Sequence, residues 1–185
     1  MSGLVTVRAA GLADAAGIAR VHVETWRAAY PGIVPEDYLV SMTESHQASL
    51  WEASIRRARG ADTVLVAEDT GSAGIVGFGN CGRARRGDAT GEVFTLYVAN
   101  DWQGRRIGRS LLGGLFGSLH GHGLNEATIW VLSANPARFF YETMGGKRLA
   151  ERREPFSGMV LEETAYGWSN LGGWLATHAD GGRRQ

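Results

Sequence analysis

The chain is poor in cysteine and lysine, has no net charge and contains no long apolar run. Cys81 stands alone, so no internal disulfide can form, and a reducing, cytoplasmic setting is expected. Lysine occurs once, as Lys147, far from the glycine- and arginine-rich turn at residues 103–110, which excludes the Walker pattern Gly-x-x-x-x-Gly-Lys-Ser/Thr there. The 19 basic residues balance the 19 acidic ones, so no nucleic-acid partner is expected. No apolar stretch approaches the roughly 20 residues of a membrane span, and Met1 to Arg8 has no charged head before an apolar run. His22, His46, His120, His122 and His178 make no known metal-ligand spacing with Cys81, so no metal is expected. His120-x-His122, at a helix end, could bind one adventitiously.

What is present is a succession of strand and helix patterns in the order β, α, α, β, β, β, α, β, α, β, β, and 185 residues suit one domain with a substantial core. Leu4 to Arg8 alternates apolar and polar residues and reads as a first strand. From Asp14 the period becomes helical, with Ile18, Val21, His22, Thr25, Trp26 and Ala29 near one face until Pro31-Gly32 ends the run. Pro35 to about Arg59 reads as one or two further helices carrying Leu39, Met42, Leu50, Trp51 and Ile55. Thr63 to Glu68 and Gly74 to Cys81 form a hairpin about Asp69-Thr70-Gly71-Ser72. Arg83 to Thr90 is a polar loop with three arginines.

Gly91 to Val98 is the next strand, followed by a helix that buries Ile107, Leu111, Leu112, Leu115, Phe116 and Leu119. Gly113, Gly114 and Gly117 each cost that helix about 1 kcal/mol of propensity, so a strand or a ligand is expected to pack close to it. Ala127 to Leu132 is a buried strand, and Asn135-Pro136 opens a short helix that Gly145-Gly146 closes. Arg148 to Glu154 and Met159 to Tyr166 complete the sheet, with Pro155-Phe156-Ser157-Gly158 between them. The tail after Leu175 is expected to fray.

The most informative stretch is the turn Gln103-Gly104-Arg105-Arg106-Ile107-Gly108-Arg109-Ser110, which joins a strand to an apolar helix. Unpaired N–H groups and the positive end of the macrodipole make a helix N-terminus a phosphate site. Gly104 and Gly108 permit close approach of the main chain, and the arginines add charge. A dinucleotide fingerprint is excluded, because its glycines are spaced differently and follow the first strand of a βαβ unit.

The turn resembles the acetyl-CoA loop of the GNAT superfamily of N-acetyltransferases, Gln/Arg-x-x-Gly-x-Gly/Ala. Gln103 and Gly108 match it, and Arg106 stands where the first glycine is expected. Trp130 through Phe139-Phe140-Tyr141-Glu142 to Gly145-Gly146 is similar to the family segment ending in Phe-Tyr-Glu-x-x-Gly. Val21 to Gly32 is similar to the first helix of many bacterial members. The resemblance spans residues 4 to 168. It implies an α/β (α+β) GNAT fold, with a central mixed, mostly antiparallel sheet of six to seven strands flanked by about four helices. Residues 1–168 would be a single domain and 169–185 a C-terminal extension with a disordered end.

It also implies an acetyl-CoA-dependent N-acetyltransferase, with acetyl-CoA as co-substrate, acting on a primary amine by direct attack in a ternary complex. Backbone groups from Gly104 through Arg105, Arg106, Ile107 and Gly108 to Arg109 would hold the pyrophosphate. Main-chain groups of Leu96, Tyr97 and Val98 would pair with the pantetheine arm like an added strand, one N–H facing the thioester oxygen. Tyr141 is the candidate acid for the leaving thiolate, with core packing as its other reading. Glu92 is the candidate base acting through water, with a solvated strand-end carboxylate as its other reading. Asn135 would contact the pantetheine or adenosine end, or cap a helix.

His22 and Glu24 are second-line bases, and with Trp26 and Tyr30 they would border the acceptor; Tyr38 and Trp51 could wall the same pocket. Arg83, Arg85 and Arg86 could reach the 3′-phosphate or be solvated. The acceptor would be a small-molecule or peptide amine, and Glu24, Glu36, Asp37 and Glu44 are too scattered to decide which. A homodimer stays open. A CoA-binding module without chemistry is the alternative from another class, disfavoured by Tyr141, Glu92 and most of the loop.

Overall fold

The computed structural model describes residues 4–72, 74–85 and 90–178. Its centre is a seven-stranded sheet made of β1 (Val5–Ala9), β2 (Thr63–Asp69), β3 (Gly74–Arg83), β4 (Gly91–Val98), β5 (Ala127–Leu132), β6 (Lys147–Phe156) and β7 (Met159–Trp168). The spatial order is β1-β2-β3-β4-β5-β7-β6. Every neighbouring pair is antiparallel except β4 and β5. Those two are joined through helix α4 (Ile107–Gly121), and a parallel pair requires such a crossover.

Six α-helices flank the sheet, more than the sequence pattern implies. Beside α4 they are α1 (Ala15–Ala29), α2 (Glu36–Ser41), α3 (Glu44–Arg57), α5 (Arg138–Thr143) and α6 (Leu171–His178). The run from Pro35 to Arg59 breaks at Met42-Thr43, where Thr43 Oγ1 accepts from His46 N at 3.3 Å and starts α3 afresh. The chain stays helical past Leu175, as far as His178. Trp174 of α6 packs edge-on against Phe116 of α4 at 5.0 Å, and Leu171 is fully buried. That burial outweighs the weak propensity of Gly172-Gly173. The tail from Ala179 onward lies outside the described residues.

Two layers of core result. α4, α5 and α6 cover one face, where Leu111, Leu112, Leu115, Phe116 and Leu119 meet Ala127, Ile129 and Val131. α1, α2 and α3 cover the other face over Val64, Val66, Ile75, Phe78 and Leu161. Among Gly113, Gly114 and Gly117 of α4, Gly114 has the close neighbour: a Cβ there would lie 2.7 Å from Leu65 Cδ1, so a strand and not a ligand explains it. Gly113 has only ordinary contact with Trp174, and Gly117 faces open space. The hairpin β6–β7 is longer than its sequence pattern, since Pro155 and Phe156 stay in the strand. Its turn is Ser157-Gly158, both left-handed at φ 44° and 85°, as a two-residue hairpin turn requires.

Two irregularities shape the centre of the sheet. β3 and β4 change register between Asn80↔Thr95 and Cys81↔Val93, leaving Phe94 as an extra residue on β4. Val93 and Leu96 therefore both face α4, while Tyr97 joins the α1 side. β4 and β5 pair only over Gly91–Val93 and Ala127–Ile129. Beyond that point the two strands have no ladder, and a cleft opens between Phe94–Val98 and Trp130–Leu132.

Candidate active site

The α4 turn stands at the open end of this cleft. Gly104 has φ 75°, and a side chain there would meet nothing within 4 Å. Arg106 caps α4 at φ 64°, ψ 7°, a left-handed conformation in which glycine has no steric penalty. The glycine that the signature carries at this position would suit the same backbone shape. Gln103 N donates to Asn100 O at 3.2 Å, and the next amide of the turn with a main-chain acceptor is Ser110 N, on Arg106 O at 3.0 Å. From Gly104 to Arg109 the amides have no acceptor among the described residues, and they form an anion-binding end that fits a pyrophosphate. Gly108 lies against Phe140, whose Cζ would be 3.4 Å from an added Cβ. Arg105 stacks over Trp102 at 4.6 Å. Gln103 braces the turn from below, donating from Nε2 to Val98 O and to Asn100 Oδ1, both at 3.2 Å.

Four polar side chains from four segments meet at the cleft. Tyr30, the C-terminal cap of α1, places its hydroxyl 3.4 Å from that of Tyr97 on β4. Asn135, in the loop before α5, donates from Nδ2 to Tyr30 Oη at 3.1 Å, while its Oδ1 accepts from Ala137 N at 2.9 Å. One side chain therefore both shapes the turn into α5 and reaches the cleft, so the cap role is present together with the contact. Tyr141 is buried in α5, and its hydroxyl is near enough to that of Tyr30 for ionisation of one to oppose ionisation of the other. Burial pushes the Tyr141 and Tyr97 hydroxyls well above the usual tyrosine range and raises that of Tyr30. All three stay protonated at neutral pH.

An aromatic wall continues from this group. Trp26 packs edge-on against Tyr30 at 4.7 Å, and Tyr38 packs on Phe156 at 4.6 Å. Trp26 Nε1 is fully buried and faces the Tyr97 hydroxyl outside good hydrogen-bond geometry. His22 lies flat against Tyr97 at 5.6 Å, with Trp26, Trp51 and Phe78 around it. Desolvation lowers its pKa to about 4, which makes it a poor base at neutral pH.

Other candidates lie elsewhere. Glu24 is exposed on α1 and pairs with Arg20 at 3.0 Å, so it does not join the pocket. Glu92 is buried at the start of β4, and its Oε2 accepts from Arg85 N at 3.2 Å. It makes no hydrogen bond to the tyrosine group among the described residues. Arg85 stacks over Phe94 at 4.7 Å, and with Arg83 it lies at the end of β4 away from the α4 turn, which removes both from a 3′-phosphate role. Arg86 lies outside the described residues. Sequence reasoning assigned Tyr97 only through its main chain and missed Phe78, Phe140 and Phe156. The Phe94 bulge, which decides which face Tyr97 takes, leaves no local signal.

Comparison with known proteins agrees with this architecture. Residues 60–145 match the acetyltransferase (GNAT) domain family. The chain is 34% identical over 170 residues to the uncharacterized N-acetyltransferase YuaI of Bacillus subtilis strain 168, covering 91% of this chain and 95% of that protein. Among solved structures, the PaiA N-acetyltransferase of Thermoplasma acidophilum in complex with coenzyme A superposes with a TM-score of 0.67. It is 20% identical and covers 87% of this chain and 98% of its own. YncA of Salmonella typhimurium, solved with acetyl-CoA, also gives 0.67, at 24% identity over 90% of this chain and 94% of its own. With the sheet that parts at β4 and β5, the amide-rich turn before α4 and a relative matched over nearly its whole length, the chain belongs to the GNAT superfamily of N-acetyltransferases.

Proposed function

We propose that this N-acetyltransferase moves an acetyl group from acetyl-CoA to a primary amine by direct attack in a ternary complex. The observation that carries the reading is the cleft between β4 and β5, with free amides at one end and the hydroxyls of Tyr30, Tyr97 and Tyr141 along it. When bound, acetyl-CoA supplies the activated acyl group. The amides of Gly104 to Arg109 hold its pyrophosphate, and the cleft-side main chain of Leu96, Tyr97 and Val98 pairs with the pantetheine arm.

Tyr141 donates its O–H to the departing sulfur. Burial keeps that hydroxyl protonated while making it a weaker acid, so hydrogen bonding precedes proton transfer. Glu92 removes a proton from the acceptor ammonium through water entering along β4. Direct attack also agrees with the state of the single cysteine. Cys81 is buried, its thiol pushed up to about 12, which leaves almost no thiolate to form an acyl-enzyme. The test is to incubate the protein with acetyl-CoA and a panel of amines while following free thiol. Thiol release that depends on a primary amine is expected; no release with any amine would overturn the reading.

A further inference from the structure

His22 and Trp51 form a contact that the mechanism above does not use. Trp51 Nε1 donates to His22 Nδ1 at 3.1 Å, joining α3 to α1. An indole N–H can only donate, so Nδ1 must hold its lone pair there and the ring proton must sit on Nε2. The ring has little freedom to turn, being enclosed by Trp26, Trp51, Phe78 and Tyr97 at 5.6 to 5.9 Å between centroids. Nε2 points away from Trp51 and has no partner among the described residues. His22 also shares the α1 stripe with Trp26 and Tyr30, one and two turns further on, which wall the cleft.

We propose that Trp51 is a positioning residue that fixes His22 in the Nε2–H tautomer, so that His22 offers a permanent hydrogen-bond donor to an oxygen beside the amino group of the acceptor. The ligand chemistry is an α-amino carbonyl, from a free amino acid or from a peptide N-terminus, and a plain alkylamine lacks the contact. The proposal deepens the reading of this cleft as the acceptor site and rests on it for the ligand, but not for the tautomer. Burial supports the same picture, since the imidazolium form is suppressed until about pH 4 and the ring stays neutral where the enzyme would work.

The experiment is long-range proton–nitrogen NMR on the full chain, with histidine assignments from His22→Gln. In the unliganded protein His22 is expected as the Nε2–H tautomer, and Trp51→Phe should convert it to a mixture. An Nδ1–H tautomer in the wild type, or no change in Trp51→Phe, overturns the proposal. Titration with glycine, glycinamide and ethylamine then reads the ligand contact without turnover. Glycine or glycinamide should move the Nε2 resonance, and ethylamine should not. A stronger response to glycine identifies a free amino acid as the source, and one to glycinamide a peptide N-terminus. Equal response to all three, or to none, overturns the donor role.

Where turnover is measurable, Trp51→Phe should raise KM for the better probe by about 2- to 10-fold, the size of one hydrogen bond, with the loss falling on KM rather than kcat. Because Trp51 is buried, His22→Gln provides the second variant. Glutamine can place an N–H near the ε position and should restore most of the affinity that His22→Phe loses. Failure of all acetyl transfer while glycinamide still shifts Nε2 would refute the proposed reaction and leave the donor site standing.

Discussion

Arg106 shows how one residue can depart from a signature and still keep its geometry. Its left-handed backbone costs a side-chain-bearing residue about 1–2 kcal/mol relative to its relaxed state, while glycine there would cost about 0.5–1 kcal/mol in unfolded-state entropy. Arg106→Gly is therefore expected to leave thermal stability unchanged or raise it by about 0.5 kcal/mol. A clear loss in a melting curve would mean that the arginine side chain itself holds the turn. For Tyr141, replacement by Phe keeps the ring that packs against Phe140 at 5.2 Å and removes only the hydroxyl. Turnover should fall about 10- to 1000-fold with the fold intact, and wild-type turnover would return Tyr141 to the core alone. Glu92→Gln should depress the low-pH limb of the rate most and recover at high pH, where more acceptor is already neutral. A uniform loss would indicate positioning, and no loss would remove Glu92 from the chemistry. Every residue of the tyrosine group was visible in the sequence as an aromatic or a turn asparagine. That residues 30, 97, 135 and 141 meet was not, because the contact is made by long-range packing and no short spacing encodes it.

At the level of elements, the phosphate-binding turn was the most legible part, since glycine placement and a helix start are local properties. Its test is acetyl-CoA itself: ligand that binds only the folded state should raise the melting temperature, and ATP or NAD should not. Gly108→Glu should abolish that shift by placing a negative side chain against phosphate beside Phe140. A preserved shift in this variant would move the pyrophosphate away from α4. The strands and their turns were equally readable from alternation and from residues such as Gly158. Three features were not. The Phe94 bulge sits in Val93-Phe94-Thr95-Leu96-Tyr97-Val98, a run with apolar residues on both faces, so no residue marks it. The break at Met42-Thr43 depends on a cap formed by an ordinary threonine. Helix α6 contains two consecutive glycines and reads as coil; its order comes from Leu171 and Trp174 burying against α4, a tertiary term that outweighs propensity.

Across the whole molecule, the order β2-β3-β4 is what sequential hairpins dictate, whereas β1 pairs with β2 across three intervening helices and β7 inserts between β5 and β6, placements that no local pattern encodes. The same distinction between local and global cause governs how the protein should respond to acid. Asp14 is held below the usual carboxylate range by its hydrogen bond to Arg8. Its stabilising contribution is therefore present above the unfolded carboxylate value and lost only as pH falls through the lower folded one. His22 acts earlier and through desolvation. Its pKa drops from 6.5 in the unfolded chain to about 4 in the fold, so between those values the unfolded state binds a proton that the native state refuses. Stability must then rise with pH across that window and be flat in this group above it. That lowering corresponds to about 3 kcal/mol, a large share of the stability of a single domain. Urea unfolding of the wild type and of His22→Gln from pH 7 to pH 4 isolates the effect. The wild type should lose about 3 kcal/mol more than the variant over that range, with most of the difference in place before Asp14 begins to titrate. Parallel curves would mean that the ring accepts its proton in the folded state near pH 6.5, and that the aromatic enclosure of His22 opens in solution.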